Sequence, residues 1–225
     1  KADYTINEKE HIYIDWWYSW ASDDRPAFRK MMLWARNKEF DYDEKLEIVR
    51  NLFWEKGYNA TSMHDIVATM NLNRSSIYDT YGNKHDLFLK CLSNYASFKE
   101  NQYLKASKAK EKAIDALEYV IRDVVDQTLT DDKSCLIVKT IFEVAPFDEE
   151  VKLLLSNRGK SLQMILGNLI VQAQKDGDIK SKKNATIIAR YILSSFSTYW
   201  SHYILSKSKK EVMEMVDFLT EQIRR

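Results

Sequence analysis

Turn-forming residues are scarce in this chain, with five glycines and two prolines among 225 residues. A chain so poor in turn residues, yet rich in Lys, Glu, Leu, Ile and Ala, reads as helical. The apolar residues recur with helical period. Leu46, Val49 and Phe53 fall on one face of a helix over about 43–56, which Gly57 closes in the left-handed region. Ser62-Met63-His64-Asp65 is a capping-box pattern and opens a second helix that runs to about Met70. Asn71-Leu72-Asn73 makes a tight turn, a short third helix covers about 74–80, and Gly82-Asn83 separates it from a long fourth helix starting at Lys84.

Further helices follow. Ile114, Leu117, Val120, Ile121, Val124 and Val125 share one face, and Val151 to Leu169 carries another apolar stripe. Ala145-Pro146 interrupts between them, because proline excludes the helix interior. The last two helices carry Ile187 to Ile204 and Val212 to Ile223. Residues 1–40 are less readable. Trp16, Trp17, Trp20 and Trp34 lie there, and a basic run from Arg25 to Lys38 precedes the first clear helix. Three readings stand: a helix packed on the body, an arm reaching DNA, or a segment foreign to the fold.

Hydrophobic residues make up 45% of the chain, enough for a core. The balance of 34 basic and 33 acidic residues gives a net charge of +1, which does not by itself indicate nucleic acid. Cys91 and Cys135 match no metal or redox spacing, and His11, His64, His85 and His202 are scattered. There is no nucleophile with a base at motif spacing, no Gly-rich phosphate loop and no paired-carboxylate motif. No catalytic residue, metal site or cofactor is therefore expected. Without an apolar run of bilayer length or a signal-peptide pattern, the expectation is a soluble cytoplasmic protein.

The informative stretch is Phe53 to Leu87. Two short helices joined by a three-residue turn form the helix-turn-helix layout, whose second helix lies in the DNA major groove. Asn71 tolerates the left-handed conformation the turn needs, and Leu72 points back as a plug between Ile66, Met70 and Ile77. The second helix, Asn73-Arg74-Ser75-Ser76-Ile77-Tyr78-Asp79-Thr80-Tyr81, is short and dense in hydroxyls, with an arginine at its start. Arginine can pair bidentately with guanine, and hydroxyls can reach bases or phosphates. Lys84, beside a helix N-terminus, suits a phosphate. Between 61 and 90, Arg74, Lys84 and Lys90 are balanced by Asp65, Asp79 and Asp86, so the dependence of DNA affinity on salt should be modest.

The run from Phe53 through Gly57-Tyr58, Ala60-Thr61-Ser62, Ile66 and Met70-Asn71-Leu72 to Ser76-Ile77-Tyr78-Asp79-Thr80-Tyr81-Gly82-Asn83-Lys84 and Leu87 resembles the DNA-binding domain of the TetR family of regulators. Its most specific part, Ile-Tyr-x-x-Tyr-Gly-Asn-Lys, is similar to the family's Leu-Tyr-x-x-Phe-x-x-Lys. The sequence departs from the pattern at Asn71, where glycine is common, at Val67, where alanine is common, and at Tyr81, which replaces phenylalanine and is expected in the core.

The resemblance implies an all-α fold. An N-terminal three-helix helix-turn-helix domain (41–87) is joined by a long helix to a larger ligand-binding and dimerisation domain (88–225). It implies that Arg74, Ser75, Ser76 and Tyr78 face the groove, that Ser62 and His64 reach the backbone or an outer base, and that Lys84 holds a phosphate. Asp79 could accept from a cytosine amine or serve in the protein itself. The resemblance further implies a homodimer through the last two helices, a near-palindromic double-stranded operator and release by a small, mostly apolar or aromatic inducer. Tyr95, Phe98, Ile121, Phe142 and Trp200 are the pocket candidates, with packing as their plainer reading. The rival function is an all-helical small-molecule carrier or enzyme.

Overall fold

The computed structural model describes residues 42–130 and 135–225, so the aromatic and basic segment at 1–40 lies outside the described residues. Every regular element among the described residues is an α-helix: α1 (Tyr42–Lys56), α2 (Met63–Met70), α3 (Arg74–Tyr81), α4 (Lys84–Ala106), α5 (Ala113–Thr130), α6 (Leu136–Glu143), α7 (Glu149–Lys175), α8 (Ala185–Ser206) and α9 (Lys209–Arg224). None of them is long and apolar enough to cross a membrane. No group of three or more His, Cys, Asp or Glu side chains among the described residues is placed to hold a metal ion.

The helices begin and end where local chemistry dictates. Asp43 and Glu44 sit in the first turn of α1 and Lys56 in its last, each opposite the matching end of the helix dipole. Asp148 opens α7 by accepting from the N–H of Val151, and Ser208 opens α9 by accepting from Glu211.

Two apolar cores result. One joins Leu46, Val49 and Phe53 of α1 to Ile66, Met70, Ile77 and Tyr81, and continues through Phe88, Cys91 and Tyr95 of α4 into Leu136, Val144, Val151 and Leu155. Aromatic rings fix its centre, with Phe53 edge-on to Phe88 at 5.1 Å and Tyr58 tilted over Phe88 at 4.6 Å. The helix-turn-helix is therefore not packed on α4 alone. The α6–α7 corner is part of its core.

The second core fills the body. The wide stripe of α5, including Leu117, Val120, Ile121 and Val124, packs against Leu166 and Ile170 of α7, Ala189 and Ile192 of α8, and Val212 and Val216 of α9. Residues Tyr103 and Ala106 carry α4 into this core. At 1.5 Å per residue, the 23 residues of α4 span roughly 35 Å, enough to link the two cores as one rod.

Candidate nucleic-acid interface

The α2–α3 pair is held by side chains that satisfy its helix ends. Ser62 Oγ accepts from the N–H of Asp65 at 3.1 Å, while the Asp65 carboxylate accepts from the N–H of Ser62 at 2.7 Å. Lys56 lies 2.7 Å from the same carboxylate. Its hydrogen bond, with those of Ser62, holds Asp65 well below the ordinary carboxylate range. At the other end of α2, Lys45 Nζ donates to the carbonyl of Met70 at 2.9 Å. Asn71 then turns the chain through φ 51°, ψ 44°, the left-handed region for which asparagine was expected.

Asn73 opens α3 by accepting from the N–H of Ser76 at 2.8 Å. Ile77, Thr80 and Tyr81 form the buried side of α3, and Tyr81 stacks on Tyr42 with ring centroids 4.9 Å apart. The opposite side is exposed and carries Arg74, Ser75 and Tyr78. Arg74 Nη2 donates to Tyr78 Oη at 3.1 Å, and its guanidinium lies 5.5 Å from the centre of the same ring. One turn of helix thus props the arginine along an exposed face, so fewer rotamers need be frozen when it engages a partner. Ser75 Oγ donates to Asp79 at 3.4 Å, which gives the acidic residue a partner within the helix. Lys90 Nζ donates to the carbonyl of Tyr81 at 2.8 Å and closes α3. Gly82, at φ +84°, makes the following turn, where an added Cβ would run into the Asp86 carboxylate.

The other predicted site residues are placed differently from one another. His64 is exposed on α2. The Ser62 hydroxyl is committed to the capping box, also donating to Asp65 at 2.6 Å. Ser76 is half-buried. Lys84 lies with its ammonium 4.4 Å from the centre of the Tyr58 ring, and burial lowers its pKa.

The five pocket candidates are not brought together. Tyr95 belongs to the core shared with the helix-turn-helix, whereas Ile121 and Trp200 belong to the body core. Phe98 and Phe142 are exposed, at 59% and 71%. A helical stripe identifies apolar residues but not which of them share a neighbour.

The sequence also gave no sign of how the helix-turn-helix meets the α6–α7 corner. Lys139 Nζ donates to the carbonyls of Trp54 at 2.7 Å and Glu55 at 3.2 Å, capping the end of α1. Glu143 Oε1 accepts from the N–H of Asn59 at 2.8 Å. Asp148, besides opening α7, lies 2.7 Å from Nε2 of His85. These contacts bridge more than sixty positions of sequence, a separation at which no local pattern speaks.

Residues 47–91 match the model of the bacterial regulatory proteins of the tetR family. This stretch is a TetR-type DNA-binding domain. The chain is a DNA-binding transcriptional regulator, and the curated relatives it matches are transcriptional regulators too. The chain is 28% identical over 164 residues to an uncharacterized HTH-type transcriptional regulator of Bacillus subtilis, YezE, covering 72% of this chain and 84% of that one. It is 26% identical over 176 residues to the HTH-type transcriptional repressor ComR of Escherichia coli, covering 76% and 82%. The fold is also that of CifR, a TetR-family regulator solved as a cysteine mutant with a 26 bp double-stranded operator. That match has a TM-score of 0.68 at 20% identity and covers 81% of this chain and 96% of that one.

Proposed function

We propose that the chain acts in the cytoplasm as a homodimeric repressor that reads a near-palindromic operator through α3 and is released by a small molecule bound in its helical body. The carrying observation is the exposed face of α3, where Arg74 is braced on Tyr78 above a helix whose other side is buried and whose ends are capped. In this reading Arg74 contacts a base edge. Ser75, Ser76, Tyr78 and His64 contact bases or phosphates, and Lys84 reaches a phosphate by leaving the Tyr58 ring. Ser62 contributes through the helix end it builds.

The dimer would form through α8 and α9. In the single chain Ile187, Tyr191, Leu205 and Phe218 are exposed on these two helices, a quantity of apolar surface that a second copy would cover. Twofold symmetry then sets two α3 helices about one turn of DNA, ~34 Å, apart. Residues 41–87 serve as the reading head and 88–225 as the ligand-binding and dimerisation body, with Ile121 and Trp200 as the apolar wall of a pocket for a mostly apolar or aromatic inducer. Support for repression comes from the relative named a repressor.

The test is selection from a random duplex library at near-physiological salt, followed by sequencing of the bound pool. Enrichment of a near-palindrome supports the reading. A pool without enrichment, bound weakly and only at low salt, overturns it.

A further inference from the structure

The chain is nearly neutral, but its charges are unevenly placed. α4 and α7 both start beside the reading head, where His85 meets Asp148. They run from there side by side, with Arg158 of α7 bonded to Ser93 and Glu100 of α4. Spanning roughly 35 Å and 40 Å, they carry the α4–α5 and α7–α8 loops to the end of the body away from α3. Arg224 ties the two loops together. Its carbonyl accepts from the N–H of Lys180, and its guanidinium lies 2.6 Å from Glu118 and 3.8 Å from Asp115 of α5. The first loop exposes Lys108, Lys110 and Lys112, and the second exposes Lys180, Lys182 and Lys183. Among the described residues none of the six forms an ion pair. Residues 105–118, 175–184 and 221–225 together hold ten basic and six acidic residues, in a chain whose net charge is only +1.

Both loops are fixed to the body. Gln174 Nε2 donates to the carbonyls of Ser181 at 2.7 Å and Lys183 at 2.9 Å. The N–H of Ser107 donates to the carbonyl of Tyr103 at 2.8 Å, and its hydroxyl donates to that of Leu104 at 2.9 Å. Like charges held on a fixed backbone repel one another, a cost that a polyanion relieves. We infer that this basic pole binds the phosphate backbone of a second DNA duplex, so that a molecule seated on its operator holds a further stretch of DNA. α3 lies at the other end of the α4 and α7 rods, so a straight duplex on the reading head does not also reach the pole.

The chemistry is that of backbone binding rather than base reading. Lysine is a compact point charge on a flexible stem, and it neutralises phosphates without the bidentate geometry by which arginine reads a base. Ala106, Ala113 and Ile179, which flank the lysines in sequence, are buried in the body core and unavailable for insertion into a lipid surface. In the reading head, Arg74, Lys84 and Lys90 are balanced by Asp65, Asp79 and Asp86, so the head adds little attraction that is independent of sequence. Once the head is on its operator, neighbouring DNA is at high effective concentration around the pole.

Fluorescence anisotropy with a duplex of unrelated sequence tests the pole without an operator. Wild type should lose about fiftyfold in affinity between about 0.1 M and about 0.3 M salt, the loss expected for roughly four neutralised phosphates. Lys108→Gln, Lys110→Gln, Lys182→Gln and Lys183→Gln combined should lower the slope of log affinity against log salt by about 3 to 4. Arginine at the same four positions should keep the slope. An unchanged slope in the glutamine variant, or a slope lost equally in the arginine variant, overturns the pole. Bridging is read separately. A bead-bound operator duplex loaded with wild type should capture a labelled unrelated duplex about tenfold better than one loaded with the glutamine variant, while both proteins bind the operator equally. Equal capture, or no capture by wild type, overturns the bridge. Binding to phosphatidylglycerol vesicles without binding to the unrelated duplex would give the pole to a membrane and overturn the inference. Failure to select any operator would instead strike the operator reading of α3 and leave the anisotropy result standing.

Discussion

The reading head and the body are built on opposite plans. In the head, nearly every helix end meets a side chain: Ser62 and Asp65 at the start of α2, Lys45 at its end, Asn73 and Lys90 around α3, and Lys139 at the end of α1. Its aromatic residues interlock, and its left-handed positions fall to Gly57, Asn71 and Gly82. In the body, long helices are held by a broad apolar core, and large apolar side chains such as Tyr191, Leu205 and Phe218 remain on the outside. Both cysteines belong to the head core: burial pushes the Cys91 thiol up to about 12, while Cys135 packs half-buried against the same core. In the proposed dimer, a second copy would cover these exposed apolar side chains of the body. A surface that must present a fixed face to DNA benefits from polar constraints, whereas a body that must accept a second copy and a ligand benefits from adaptable apolar packing.

Glycine replacements separate the two plans most sharply. Gly82→Ala should destabilise the protein by roughly 2–3 kcal/mol, because it places a Cβ at φ +84° and against Asp86. In the body, Gly159→Ala on α7 should stabilise by about 0.5–1 kcal/mol, since nothing lies within 4 Å of the new Cβ and alanine favours the helix. Chemical denaturation of both variants decides the matter, and equal signs would erase the contrast.

Next in size is Arg74→Ala, which should cost about 1–3 kcal/mol at the selected operator and relax base preference at one position of each half-site, with unfolding unchanged. Unaltered affinity and preference would remove Arg74 from the reading set. Ser62→Ala should lose about 1 kcal/mol of stability as the cap of α2 opens. A Ser62 loss seen in DNA affinity alone would instead restore the hydroxyl to DNA contact.

The smallest effect is acid dependence. The folded pKa of Asp65 is depressed by Lys56 and Ser62, so its contribution is present above the unfolded value of about 4 and is lost as pH falls below it. Wild type should therefore exceed Asp65→Asn in denaturation midpoint at neutral pH, with the gap narrowing below about pH 4. A gap that widens on acidification would contradict the arrangement.

The same contrast explains what could be read in advance. Head signals are local. Ser62 and Asp65 stand three residues apart, Asn71 and Gly82 mark backbone turns, and the spacing from Phe53 to Leu87 carries the family pattern, so helices, caps and turn were legible. The body yielded its helices through their apolar period but not their neighbours, so the exposure of Phe98 and Phe142 could not be read from the stripe. Lys84 and Ser62 show a further limit, since residue type suggested a phosphate contact while their polar atoms engage Tyr58 and Asp65 within the protein.

The grip of α6 on the head bears on engineering. Regulators are often treated as interchangeable parts, with one protein's operator preference fitted to another's sensor. Here the socket for α1 is made of Lys139 and Glu143, which a cut after the helix-turn-helix would leave behind. A working hybrid must carry those two positions across with the graft, together with Asp148 opposite His85, or inherit a head aimed at the wrong groove.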